Sequence, residues 1–154
     1  MTDTIYQISG LCQRYTGPPV LDIEHLAIHR GRITGLLGPN GSGKTTLLRL
    51  LAFIDSPWQG EIRFCGRRTG AFSEPARRQV AFLPQTPCLL KRSVMKNVAY
   101  GLAIRGLPAG QIEKKVAEAL GMVGLSPDAF RHRRPGELSG GEAQRVALAA
   151  RLVL

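Results

Sequence analysis

No apolar run in the 154 residues reaches the ~18 that a bilayer-spanning helix needs, so no membrane span is read. The first residues, "MTDTIYQISG", lack the charged and apolar regions of a secretory leader, so export is not signalled. Cysteines are few and far apart (Cys12, Cys65, Cys88) with no CxxC pair, which argues against a disulfide framework or a cysteine-ligated zinc site. His25 and His29 lie four apart, but in an extended stretch and without the glutamate of an HExxH helix, so no metal pair is read there. Acidic residues are scarce too: 11 Asp plus Glu stand against 21 Lys plus Arg, a formal charge of +10. That imbalance invites an anionic partner. The basic residues, however, come as scattered pairs (Arg67-Arg68, Arg77-Arg78, Lys91-Arg92, Arg133-Arg134). None lies in an aromatic-interleaved strand that would stack bases, so no specific nucleic acid is expected.

A hydrophobic content of 44% fits one folded domain with a sizeable core. "TIYQISGLCQRY" and "PVLDIEHLAIHRG" read as extended segments joined by the turn "TGPP". "RITGLLG" and Val80–Leu83 read as short buried strands, and "EIRFCG" alternates like an edge strand. From Lys44 to Phe53 the chain is apolar nearly all round, as a buried helix would be. Residues 93–130 are helical in pattern, broken at Gly106-Leu107-Pro108 and Ser126-Pro127, and "RHRRPGE" forms a polar linker to a last helix. Strands early, a strand–loop–helix unit, then a helical block: this is an α/β chain with a helical insertion.

"GPNGSGKT" at 38–45 fits G-x-x-x-x-G-K-[ST], between the apolar run "ITGLL" and the helical pattern "KTTLLRLL". Gly38, Gly41 and Gly43 permit backbone conformations in which successive N–H groups turn inward. With the positive end of the following helix they make a polyphosphate site, lined by Pro39, Asn40, Ser42 and Thr46 as well. Lys44 supplies a point charge to the outer phosphates and Thr45 a hydroxyl for Mg²⁺. The chain is therefore expected to bind a nucleoside triphosphate. Neither Asn40 nor Asn97 lies in the NKxD pattern of a guanine reader.

A second glycine-rich helix start stands at 138–142, "LSGGE". Ser139 with Glu142 three residues on is a capping box, followed by a face of Ala143, Val146, Ala147, Ala150 and Leu154. The box does not explain Gly140 and Gly141, since glycine in a helix costs up to ~1 kcal/mol relative to alanine. Two of them make sense where a phosphate must approach the backbone.

In these motifs, their order and their spacing, the chain from Tyr15 to Leu154 resembles the nucleotide-binding domain of ABC transporters. "GPNGSGKTT" is similar to that family's Walker A loop and "LSGGE" to its signature, with Glu142 where glutamine is commoner. The resemblance implies a P-loop NTPase with a RecA-like core, an N-terminal antiparallel β subdomain and a helical subdomain, incomplete at the C-terminus. Its parts would be about 1–92 (β subdomain and P-loop core), about 93–137 (helical subdomain) and 138–154 (signature and its helix). Tyr15 would stack on adenine, and Gln85 would be the auxiliary catalytic Q-loop residue, holding Mg²⁺ with Thr45. Ser139, Gly140, Gly141 and Glu142 would meet the ATP of a second subunit in a head-to-tail dimer. The partners implied are that subunit and a transmembrane permease, at the cytoplasmic face of the membrane. "VAYGLAIRG" bears a likeness to subunits serving inorganic anions such as tungstate, molybdate or phosphate.

The family's Walker B strand and switch histidine follow the signature helix, and this chain stops twelve residues after Glu142. Asp55 and Asp22 are poor substitutes: the first marks a helix exit, the second precedes the P-loop with no second acid beside it. The expectation is a truncated importer subunit that binds Mg-ATP and turns over almost none. The alternatives are a nucleic-acid-linked ATPase of the same superfamily or a non-catalytic structural fragment. Loss of the later strands is expected to expose the apolar faces of Leu47–Phe53 and of the last helix. Phe53 stands where the family often has glycine.

Overall fold

Apolar and polar residues alternate through the first third of the chain and form strands β1 (Thr4–Gln13) and β2 (Leu21–His29). The computed structural model describes residues 3–154. β1 is flanked by β2 and by β3 (Gln59–Phe64), which pairs in turn with the two-residue β4 (Arg67–Arg68), all antiparallel. The stretch "EIRFCG" is thus interior rather than an edge. Midway along β1 the inward face changes parity, from Ile8 to Leu11 and Gln13. A bulge against β3 between Ser9 and Cys12, with Gly10 at φ +56°, supplies the extra residue.

Helix α1 (Lys44–Leu51) shares one core with this sheet and the short α2 (Glu74–Arg77). Leu47, Leu50, Leu51 and Phe53 are buried with Ile8, Leu11, Leu21, Ile62 and Phe64. Each fully buried large side chain contributes about 1.5–3 kcal/mol. The Leu47–Phe53 face is therefore covered, contrary to expectation, because the antiparallel sheet takes it; Leu48 alone of these leucines is open, at 46%. Just past the helix Phe53 adopts φ +56°, a left-handed conformation that explains why glycine suits the position. Its ring lies 5.5 Å from Phe64 and 6.2 Å from Tyr6. The Tyr6 hydroxyl donates to the Leu51 carbonyl at 3.0 Å, and burial pushes its pKa up to about 12.

The two runs read as buried strands, 33–37 and 80–83, are not strands. Ile33 and Leu37 are 104% and 94% exposed. Among the described residues the only sheet is β2-β1-β3-β4, and neither run has a strand alongside to exchange N–H and C=O bonds with.

Backbone contacts divide the chain into two units between Phe82 and Leu83. In the second unit α3 (Val94–Ile104), α4 (Ala109–Met122) and α6 (Gly140–Leu152) share a core, with the short α5 (Pro127–Phe130) beside α4. Val94, Val98 and Leu102 form the i, i+4, i+8 stripe of α3. On α6 the buried stripe is Val146, Ala147, Ala149 and Ala150, continued by Val153, while Leu154 is 39% exposed. The face also takes in Ala149 and Val153, and the half-exposed Leu154 lies with its side chain against Gly101 of α3, while Leu148 and Leu152 are open at 37% and 52%.

Candidate functional site

The loop before α1 is exposed over residues 38–42 and packs closely only at Gly43. Gly43 is the N-cap of α1 at φ +80°, ψ +3°. A Cβ there would come within 2.5 Å of Leu21 Cδ2 and 2.8 Å of the Val20 carbonyl. Glycine is thus required twice, by conformation and by the close approach of the β1–β2 turn. No side chain caps α1 and its first turn holds no acid, so its positive end is open to an anion. Lys44 Nζ bends back over the loop, donating to Gly38 O at 2.8 Å and Pro39 O at 2.7 Å, with Ser42 Oγ at 3.5 Å. Carbonyl dipoles hold the cation where a phosphate would offer full charge. Asn40, Gly41, Ser42 and Thr45 are exposed, and Thr46 is half-buried.

Tyr15 projects from the β1–β2 turn, 62% exposed, and the same turn ends at Val20 against Gly43. The base of the turn is pinned by a residue that sequence reasoning missed. Gln13, 6% exposed, accepts the Trp58 N–H through Oε1 at 2.8 Å, and its carbonyl accepts from Val20 N at 2.7 Å. Arg14 stacks over the Trp58 ring at 3.7 Å. The available signal was a polar residue at an inward strand position, which must be hydrogen-bonded to be buried.

In the second unit Ser139 is the N-cap of α6. Its Oγ accepts from Glu142 N at 3.3 Å, and Glu142 Oε2 accepts from Ser139 N at 2.7 Å, completing the capping box. The hydrogen bond from the Ser139 backbone, then that with its side chain, holds the Glu142 carboxyl below the usual carboxylate range, with Arg133 and Arg145 adding to it. The depressed pKa makes its contribution present above the ordinary carboxylate range and lost as pH falls through the lower folded value. An acid titration followed by circular dichroism is expected to show an early loss of helix that Glu142→Gln lacks, since glutamine keeps the box without a charge. An identical acid limb in both proteins would refute it. Above Gly140 and Gly141 a Cβ would meet nothing within 4 Å. Nothing within the fold asks for glycine there, which leaves both backbones open to an outside group.

Gln85 is exposed and stands across a cleft of about 600 Å³ from Gly141, Gln144 and Arg145. It therefore lies in the unit that carries Ser139, whereas Lys44 and Thr45 lie in the first. Among the described residues no group of three or more His, Cys, Asp or Glu is placed to hold a metal. Asp55 is committed elsewhere, taking Arg49 Nε at 2.7 Å and Nη2 at 2.8 Å, a pairing that lowers its pKa.

The sequence profile described as "ABC transporter" matches residues 21–154. The tungstate uptake system ATP-binding protein TupC of Peptoclostridium acidaminophilum is 40% identical over 147 residues, 96% of this chain and 66% of that protein. The sulfate/thiosulfate import ATP-binding protein CysA of Nocardia farcinica is 41% identical, over 96% of this chain and 44% of its own length. The spermidine/putrescine import ATP-binding protein PotA of Rubrobacter xylanophilus is 45% identical, over 96% and 38%. This chain thus spans between 38% and 66% of these relatives. Among solved structures, a Clostridium perfringens protein described as part of the ABC transporter complex cbiONQ superposes with a TM-score of 0.81 at 30% identity, covering 99% of this chain and 62% of that one. A bacterial ABC transporter cassette solved as a dimer gives 0.87 at 25% identity, covering 97% and 69%.

Proposed function

We propose, given that this chain belongs to the ABC transporter family, that it is the ATP-binding part of an importer, working on a membrane permease from the cytoplasmic side. Loop 38–46 holds the phosphates of Mg-ATP, Tyr15 stacks on the adenine, and the Thr45 hydroxyl with Gln85 holds Mg²⁺. Ser139, Gly140, Gly141 and Glu142 receive the γ-phosphate of ATP bound to a second subunit, so ATP favours a closed head-to-tail pair. The observation that carries this reading is the uncapped start of α1, over which Lys44 rests on the loop's own carbonyls. Asp55 is tied to Arg49, and among the described residues no group of three or more His, Cys, Asp or Glu is placed to hold the metal. The 154-residue polypeptide alone is therefore expected to bind Mg-ATP and to hydrolyse almost none.

The three relatives are named for tungstate, sulfate or thiosulfate, and spermidine or putrescine, at identities between 40% and 45%. Anionic and cationic cargo share this region, so cargo choice belongs to other parts of the transporter.

The test uses Gly141→Ala. Alanine is the better helix former by up to ~1 kcal/mol, and its Cβ meets open space, so the variant is expected to be as stable as the parent or more so. It should keep ATP binding yet lose ATP-dependent self-association in sedimentation velocity. Self-association by Gly141→Ala equal to the parent's would overturn the trans contact, and preference for a nucleic acid over a permease in pull-downs would favour the nucleic-acid-linked reading.

A further inference from the structure

We propose that a basic hollow beside the start of α3 is a second anion site, which takes a phosphate group. The hollow holds about 480 Å³ and is lined by Lys91, Arg92, Ser93, Lys96, His132 and Arg134. Four permanent cations converge there, and their mutual repulsion is relieved only by an anion or by screening salt. Elsewhere six arginines are neutralised by carboxylates: Arg49, Arg63, Arg68, Arg78, Arg131 and Arg133 each pair with an acid. No such pair involves the four cations of the hollow among the described residues. Glu137, the acid nearest in sequence to Arg134, spends its Oε2 on the Arg134 amide at 2.6 Å. Arg92 makes one lateral contact, 5.4 Å over the Tyr100 ring.

The backbone under the hollow is held from beneath. Asn97, 8% exposed, accepts from Leu90 N at 2.7 Å and donates to the carbonyls of Leu90, Arg92 and Ser93 at 3.0–3.1 Å. Those four bonds hold residues 90–93 inward by their main chain, while Lys91 and Arg92 stand exposed. The first amides of α3 are consumed: Val94 N donates to Arg133 O at 2.8 Å, Met95 N to Arg131 O at 3.0 Å, and Lys96 N to Ser93 Oγ at 3.3 Å. Those bonds bring His132 and Arg134 to residues some forty positions earlier. They also mean that side chains, not helix amides, receive the anion. Apart from the His132 ring the lining is cationic side chains and one hydroxyl, with no aliphatic residue to take an acyl chain. The chemistry selects the phosphate itself, whether free or on an anionic lipid headgroup.

The site is independent of the ATP reading, and Lys44→Ala separates the two. Titrated calorimetrically with inorganic pyrophosphate, the Lys44→Ala chain is expected to retain salt-sensitive binding. Adding Lys91→Gln, Lys96→Gln and Arg134→Gln, all at exposed positions, should weaken it at least about tenfold with an unchanged circular dichroism spectrum. Sedimentation with phosphatidylglycerol but not phosphatidylcholine vesicles, lost in the triple variant, would identify a lipid headgroup. Pyrophosphate binding without vesicle binding would identify a free anion. Failure of both probes, equal binding by the triple variant, or retention of an RNA oligonucleotide alone would overturn the proposal.

Discussion

Lys44→Ala weakens Mg-ATP binding by about 10- to 100-fold, the loss expected when one charge-assisted contact of about 1.5–3 kcal/mol is removed. Stability should change by less than about 1 kcal/mol, because the carbonyls of Gly38 and Pro39 that Lys44 now contacts are exposed and water replaces the ammonium. Fluorescence anisotropy with a labelled ATP analogue reads the first effect and urea unfolding the second. Undiminished affinity would move the phosphate site away from loop 38–46. Large unfolding instead would make Lys44 a structural strut of its own loop.

The largest expected effect on stability is at Phe53, where two terms oppose each other. Phe53 is 1% exposed and packs against Tyr6 and Phe64, so Phe53→Ala is expected to cost about 3–5 kcal/mol. Its φ of +56° strains any side chain by about 1–2 kcal/mol, a strain that glycine does not feel. Phe53→Gly should therefore lose less than Phe53→Ala, by about 1 kcal/mol, and still be less stable than the parent. Equal losses in urea denaturation would show that the backbone is unstrained. A stabilised Phe53→Gly would mean that the ring contributes little. Packing outweighs strain here, which is how a bulky residue persists in a glycine's conformation.

The parts that were legible in the sequence share one property: their partners are close along the chain. The capping box joins Ser139 to Glu142, three residues apart, and forms as its pattern implies. The hairpin of β1 and β2 needed only alternation and a turn. The helices of the second unit followed from period and from the breaks at Gly106–Pro108 and Ser126–Pro127. What misled was burial. "RITGLLG" has the composition of a core strand but no neighbour beside it, and Leu47–Phe53 found in the antiparallel sheet a cover that the pattern could not name. Gln13 and Asn97 were passed over because their partners, Trp58 and the carbonyls at 90–93, follow no repeating spacing.

By itself, then, the sequence determined the family and the two glycine-bearing helix starts, because loops and caps are local hydrogen-bonding arrangements set within a few residues. Only the tertiary structure decided which apolar runs are covered, which arginines are neutralised, and that residues 91–96 and 132–134 share one cationic hollow. Those outcomes depend on surfaces brought together from distant parts of the chain, and no local pattern records which surface will arrive.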